Sequence, residues 1–158
     1  MTVRIVTDSA CDLNDAATSA AGITVVPLTI RSGDEEFIDR EQLTVAEFWT
    51  RVVGSDTLPE TAAPAPGQFE TVYRELAAEG AAGVVVVSLS GALSATMQSA
   101  ELAARSIASD RSLNLDVRIV DSRTVTMGLG TIALACAQAG HDGGSIDDVE
   151  NLASSLAQ

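Results

Sequence analysis

Four consecutive valines at positions 84–87 constrain the fold more than any other feature of this sequence. A strand with one face in water alternates apolar and polar residues, but this run does not alternate, so both of its faces must be covered. Further strands are predicted at residues 3–6, 23–30 and 116–120, with helical segments between them. This alternation predicts an α/β fold, with a mostly parallel sheet and helices on both faces.

Local signals indicate where several of these elements begin and end. Asp12 is expected to cap a first helix, which Gly22 terminates. Gly140 is expected to follow the last residue of an Ala-rich helix over residues 127–139. Pro27 cannot donate to a sheet ladder, so the strand at residues 23–30 is predicted to lie at an edge or to end in a bulge.

A capping box at Thr44 and Glu47 predicts another helix. The apolar residues that follow it share one helical face: Val45, Phe48, Trp49 and Val52. Residues 54–67 hold three of the four prolines in the chain, so irregular structure is predicted there.

The acidic charge balance excludes several classes of partner. Nine arginines, no lysine and 22 Asp plus Glu give a formal net charge of −13. A general nucleic-acid binder needs a basic face, and an anionic membrane attracts basic segments, so neither is expected as a partner. The longest apolar run, residues 81–87, is far too short to span a bilayer, so no stable membrane insertion is expected.

The cysteine and histidine content argues against a metal site. Cys11 and Cys136 lie far apart in the sequence, and His141 is the only histidine. A zinc site or a disulfide scaffold needs more of these residues, so we expect buried, reduced thiols and no cofactor. Arg4 and Asp8 interrupt the amino terminus, which therefore does not resemble a signal peptide, and a cytoplasmic location is expected.

Short hydroxyl and carboxylate side chains follow three of the predicted strands, at residues 7–9, 88–96 and 121–124. Ligands of open parallel sheets bind beyond the carboxyl ends of the strands, so these side chains are expected to converge. One interpretation is enzymatic: Asp8 and Asp121 hold Mg²⁺ for hydrolysis or phosphoryl transfer. In the alternative, each carboxylate only caps the turn that follows it.

The same edge of the sheet also suits an anion. Ser94, Ala95 and Thr96 lie near the start of a predicted helix over residues 93–109. Free backbone N–H groups and the helix dipole favour a carboxylate or phosphate at such a position. The simpler alternative is that Ser94 is the N-cap of this helix.

Five short motifs follow one another along residues 5–130: I-V-T-D-S, P-L-T-I, T-x-x-P-x-P-G-x-F, L-S-x-T-x-Q-S-A, and V-D-S followed by M-G-x-G. In this order they resemble the N-terminal domain of the DegV family of bacterial fatty-acid-binding proteins. The resemblance implies a DegV-type N-terminal α/β domain over residues 1–140. Residues 141–158 would then begin the connection to a second lipid-binding domain that is absent from this chain.

The resemblance also implies a function, which is non-enzymatic binding of a long-chain fatty acid. Thr61 and Ser94 would hydrogen-bond the carboxylate, with Thr96 and nearby backbone amides as helpers. Some family members present the lipid to a fatty acid kinase, which is therefore an expected partner. The sequence departs from the family pattern at Ala95, where a glycine is usual, and at residues 62–65, where polar side chains are replaced by alanine.

An interaction module without lipid binding is the remaining alternative. A single domain without its second domain would expose the apolar surface against which that domain packs. Exposed apolar patches favour association, so a homodimer is expected under this alternative.

Overall fold

The structure is a computed structural model that describes residues 2–158. Its strands and helices, in chain order, are β1 (Val3–Asp8), α1 (Asp15–Ala21), β2 (Ile23–Val26), β3 (Thr29–Ser32), β4 (Glu35–Ile38), α2 (Val45–Val53), β5 (Glu60–Ala62), α3 (Pro66–Ala78), β6 (Gly83–Ser88), α4 (Thr96–Ser109), β7 (Asp116–Asp121), α5 (Met127–His141) and α6 (Ile146–Leu156). A single 3₁₀ turn, Ser9–Cys11, links β1 to the loop before α1.

The valine run forms β6, an inner strand of a parallel sheet with the order β2-β1-β6-β7. All six residues of β6 are buried. Val85 and Val87 pack into one apolar cluster with α5 and α6, whereas Val84 and Val86 pack into a second cluster with α3 and α4. The predicted α/β fold, with a parallel sheet and helices on both faces, is confirmed.

The single strand predicted over residues 23–30 is two strands in the structure. β2 lies at the edge of the parallel sheet, as Pro27 predicts, and ends at Val26. The chain then leaves the sheet, and β3 pairs with β4 and β5 in a separate antiparallel sheet. We call residues 29–62 the arm; they contain this small sheet and α2. We call the rest of the described chain the body.

The predicted cap of the first helix is wrong by two residues. Asn14, rather than Asp12, caps α1, because its Oδ1 accepts a hydrogen bond from the N–H of Ala17 at 2.8 Å. Asp12 instead has a φ of 55° and ends the 3₁₀ turn. The predicted stop at Gly22 is confirmed, since its φ of 65° is a left-handed conformation that ends α1.

The ends of two later helices also differ from the predictions. Helix α4 begins at Thr96 rather than at residue 93, because residues 90–93 form a turn in which the N–H of Leu93 donates to the carbonyl of Ser90. Helix α5 continues through Gly140 to His141. Gly140 is therefore inside the helix, and its predicted position after the helix is wrong.

Residues 141–158 include α6, which packs on β6, β7 and α5. Val149 and Ala153 of α6 are fully buried in the same apolar cluster as β6. Arg118 of β7 binds the carboxylate of Glu150 at 3.0 Å. The domain boundary at residue 140, and a connection from there to a second domain, stay predictions.

Asp8 is a buried carboxylate at the carboxyl end of β1. Its Oδ1 accepts from the N–H of Ala10 at 3.1 Å, and its Oδ2 accepts from the N–H of Leu89 at 2.8 Å. It therefore joins the loop after β1 to the loop after β6. Burial raises the pKa of this carboxyl to about 6, although the two hydrogen bonds and the charge of Arg40 oppose the change.

The raised pKa of Asp8 predicts a specific pH dependence of stability. The folded chain binds this proton more tightly than the unfolded chain, so the contribution of Asp8 to stability should fall as the pH rises from about 4 to about 6. Asp8→Asn cannot ionise, so its stability relative to wild type should improve by about 2–3 kcal/mol over that interval. Urea unfolding of both proteins across this pH range measures the difference, and parallel pH profiles would contradict the assignment.

Gly130, in α5, lies against the loop before α1. A Cβ at this position would sit 2.4 Å from the backbone carbonyl oxygen of Cys11 and 3.0 Å from the Leu13 side chain. Only a residue without a side chain permits this approach, since the carbonyl cannot move without shifting the loop. Gly130 thus permits close packing of α5 against this loop.

Gly130→Ala should therefore destabilise the fold by about 1–3 kcal/mol, because the added methyl overlaps backbone. Gly67→Ala is the matched control: it is also a helical glycine, but a Cβ there meets nothing within 4 Å. That control should be neutral or stabilising by up to about 1 kcal/mol. Thermal or urea unfolding compares the two variants, and equal stabilities would refute the packing argument.

Candidate functional site

A hollow lies between the arm and the carboxyl edge of the parallel sheet. Its volume is about 260 Å³. Its apolar lining is drawn from both units, and comprises Ala10, Leu28, Ile30, Val45, Phe48 and Trp49. A second depression of about 480 Å³ lies next to it and shares Asp12, Arg40, Val45 and Trp49 with it.

The apolar face of α2 remains open on one side of this hollow. None of the residues of α2 is buried, and Val45 and Trp49 are 63% and 58% exposed. The helix forms because the predicted capping box is present: Thr44 Oγ1 accepts from the N–H of Glu47, and the Glu47 carboxylate accepts from the N–H of Thr44. The structure thus leaves an amphipathic helix with its apolar side available to a ligand.

Thr61 lies in β5 and lines the hollow. Its backbone is opposite Ile30 of β3, whose buried side chain also lines the hollow. The sequence predicted irregular structure over residues 54–67, but this short strand places Thr61 in a fixed register on the arm. A hydroxyl therefore stands beside apolar side chains, in a hollow open to solvent.

Ser94 and Thr96 form a hydroxyl pair at the amino terminus of α4. Their two side-chain oxygens are 2.9 Å apart, and Ser94 Oγ also accepts from the N–H of Thr96 at 3.2 Å. Thr96 is fully buried, and the N-cap residue, Ala95, provides no side-chain cap. Ser94 is thus one residue before the N-cap, although its hydroxyl still binds a backbone N–H of the first turn.

The structure brings Ser94 and Thr96 together and places Thr61 on a different unit. Thr61 belongs to the arm, whereas the hydroxyl pair belongs to the body. The described lining of the 260 Å³ hollow includes Thr61 but neither Ser94 nor Thr96. A joint role for these three hydroxyls in holding a ligand therefore stays a prediction.

Asp8 and Asp121 both use their oxygens to shape the loop between β6 and α4. The Asp8 carboxylate accepts from the N–H of Leu89, and Asp121 Oδ1 accepts from the N–H groups of Gly91 at 3.1 Å and Arg123 at 2.8 Å. These contacts favour the capping interpretation over the enzymatic one. Residues 2–158 include no group of three His, Cys, Asp or Glu side chains arranged to hold a metal ion.

Both cysteines are buried and free, as expected from the sequence. Burial raises the pKa of the Cys136 thiol to about 11, and burial also raises the pKa of Cys11. Thiols of this kind are weak nucleophiles at neutral pH, since the thiolate is scarce. His141 is exposed in the last turn of α5.

Arg40 is a residue of this region that the sequence analysis did not single out. It lines both parts of the hollow, and its guanidinium donates to the backbone carbonyls of Ser9 and Leu13. No local sequence signal marks it, because its partners are 27 and 31 residues away in the chain. Trp49 could be found from the helical pattern, although its place in a ligand-sized hollow could not.

No helix within residues 2–158 is both long enough and apolar enough to cross a membrane.

Sequence relatives of this chain share one family. The family model of DegV proteins matches residues 2–158. A DegV domain-containing protein of Clostridium perfringens is 36% identical over 148 residues, which are 94% of this chain and 51% of that protein. Another, from Streptomyces coelicolor, is 34% identical over 155 residues, 98% of this chain and 53% of that protein. The chain spans about half the length of these relatives.

Solved structures share the fold. A DegV family protein from Thermus thermophilus, described as fatty acid binding, is 33% identical with a TM-score of 0.86, over 99% of this chain and 54% of that one. DegV from Bacillus subtilis, described as a fatty acid binding protein, is 26% identical with a TM-score of 0.90, over 99% and 54%. A stearic acid-binding protein from Eubacterium ventriosum is 25% identical with a TM-score of 0.85, over 94% and 51%.

The family model, the sequence relatives and the solved structures agree with the motifs along residues 5–130, and this chain belongs to the DegV family.

Proposed function

We propose that this chain binds a long-chain fatty acid without catalysing a reaction, and that Thr61 and Ser94 hold the carboxylate with support from Thr96. The observation that carries the proposal is an apolar hollow with a hydroxyl on its wall, in a fold shared with proteins described as fatty acid binding. Because the chain spans about half of its relatives' length, a second domain that closes the site is part of the proposal.

The apolar lining suits the tail of such a ligand. Each methylene removed from water contributes about 0.8 kcal/mol, so about twelve of them outweigh two or three hydrogen bonds of about 1.5–3 kcal/mol each. The tail therefore supplies most of the affinity, and the hydroxyls orient the head group. Leu28, Ile30 and Phe48 offer the kind of aliphatic and aromatic walls that a saturated or unsaturated chain needs.

The hydroxyl pair of Ser94 and Thr96 suits a carboxylate. Each hydroxyl can turn its proton towards an anion, and the first turn of α4 adds backbone N–H groups that lack helical partners. Two of the three hydroxyls are already within hydrogen-bond distance of one another, so little ordering is needed when a carboxylate replaces their mutual contact. The net charge of −13 opposes an anionic ligand only weakly, because salt screens distant charges.

The proposal extends to a partner and a compartment. A protein that binds a fatty acid without catalysing a reaction needs a separate enzyme that uses the bound lipid. We propose that this enzyme is a fatty acid kinase, which phosphorylates the presented carboxylate. We place this exchange in the cytoplasm, where a reducing environment suits the two buried free thiols.

The carboxylate contacts can be tested with two substitutions. In the full two-domain context, Thr61→Ala combined with Ser94→Ala should weaken binding of labelled oleate by about tenfold or more, because hydrogen bonds to a charged group are lost. Thr50→Ala on the arm and Ser109→Ala at the far end of α4 are matched controls, since both hydroxyls are exposed and bind only their own helix. Unchanged oleate affinity in the double variant would overturn the head-group assignment.

The position of the tail can be tested through Trp49, the only tryptophan in the chain. Stearate that carries a nitroxide on its acyl chain should quench the emission of Trp49, because the indole lines the hollow. Excess unlabelled stearate should restore the emission, which controls for unspecific quenching. If native mass spectrometry detects bound lipid but Trp49 is not quenched, the tail lies elsewhere and this part of the proposal fails.

A further inference from the structure

The arm and the body are joined by few polar contacts. Among residues 2–158, Arg40 is the only residue of the arm whose side chain hydrogen-bonds to the body. The other arginines of the arm bind within it: Arg31 pairs with Glu36, and Arg51 pairs with Glu35. One further polar link lies at the base of the arm, where the N–H of Asp39 donates to the carbonyl of Leu28 at 2.9 Å; Leu28 is itself held in the body by its N–H, which donates to Ser9 Oγ at 3.0 Å.

Arg40 reaches both ends of the loop that follows β1. Its Nη2 donates to the carbonyl of Ser9 at 3.0 Å, and its Nη1 donates to the carbonyl of Leu13. Between these two carbonyls, Asp12 adopts its left-handed conformation. A planar guanidinium can hold two acceptors in a fixed geometry, which a flexible ammonium cannot do.

The backbone of Arg40 is itself in an unusual conformation. Its φ is 67°, in the left-handed region that a residue with a long side chain rarely occupies. Such a conformation costs free energy and persists only where the surroundings impose it. Here the turn is closed by the N–H of Arg40, which donates to the carbonyl of Leu43, and it aims the side chain at the body.

The placement of the arm decides how far Thr61 lies from the hydroxyl pair on the body. Thr61 is fixed within the arm, because β5 pairs with β3 in a defined register. Ser94 and Thr96 are fixed within the body, because Asp8 and Asp121 hold the loop before them. The spacing between the two sets of hydroxyls therefore depends on the contact between the units.

We propose that Arg40 is a positioning residue: by binding the carbonyls of Ser9 and Leu13 it fixes the arm on the body, and so sets the distance between Thr61 and the Ser94–Thr96 pair. This inference rests on the proposed binding of a fatty acid. It explains why the guanidinium of Arg40, which lines the hollow, binds backbone carbonyls of the body.

A double-mutant cycle on oleate binding tests the positioning role. Arg40→Ala should weaken binding about tenfold, and Thr61→Ala should then add less than about twofold, because Thr61 is already out of place. Arg31→Ala is the matched control, since its ion pair lies within the arm; in that background Thr61→Ala should keep its full effect. Additive losses for Arg40→Ala and Thr61→Ala, or wild-type affinity for Arg40→Ala, would overturn the proposal.

Arg40→Lys separates charge from geometry. It keeps the positive charge but not the planar fork, so it should bind oleate as weakly as Arg40→Ala does. Full recovery of affinity in Arg40→Lys would assign the effect to charge and would overturn the positioning role.

Hydrogen exchange in the absence of lipid tests the contact between Arg40 and the body independently of the ligand. In Arg40→Ala two amides near the base of the arm should exchange about tenfold faster: that of Asp39, which donates to the carbonyl of Leu28, and that of Leu28, which donates to Ser9 Oγ. Amides of Val85 and Val86 in β6 should not change, whereas a global loss of stability would accelerate them as well. Unchanged exchange at Leu28 and Asp39, or equal acceleration in β6, would refute the proposal that Arg40 fixes the arm on the body. A wild-type protein that binds no oleate in the full two-domain context would instead refute the proposed function.

Discussion

Strand β6 has no face in water, and the architecture follows from that burial. Val84 and Val86 require apolar helices on one side of the sheet, while Val85 and Val87 require them on the other. Helices on both sides are supplied by crossover connections, which make neighbouring strands parallel. Parallel strands end at a common edge, so the loops after β1, β6 and β7 meet there. The candidate site lies against this edge, since Ser9 and Ala10, which directly follow β1, line the hollow.

The carboxylates at that edge hold loops in place. Burial of the Asp8 carboxylate disfavours its charged form and raises its pKa to about 6. The same carboxylate accepts two backbone hydrogen bonds. Asp121 performs the same task from β7. Together they fix the loop that leads into α4, and with it the hydroxyls of Ser94 and Thr96. Preorganised hydroxyls need less ordering when they bind an anion, which favours the carboxylate binding that we propose for them.

The candidate site is divided between two units of different character. The body is a parallel sheet covered by helices on both faces, with two buried apolar clusters. The arm is a small sheet with one helix, α2, in which no residue is buried. The apolar hollow exists only between them, since Leu28 and Ala10 lie on one side and Phe48 and Trp49 on the other. The arrangement suits a ligand with a long apolar part and a small polar end, and the DegV relatives described as fatty acid binding share the fold.

The sequence by itself determined the α/β class, the buried inner strand, the capping box at Thr44, the helix stop at Gly22 and the family motifs. Each of these depends on neighbours within a few residues or on a periodic pattern. Tertiary structure alone decided that the chain leaves the sheet after Val26 and that Arg40 joins the arm to the body. The physical reason is that these features depend on partners distant in sequence, such as the carbonyl of Leu13, 27 residues from Arg40. Local patterns contain no information about which distant backbone groups remain free to accept a hydrogen bond.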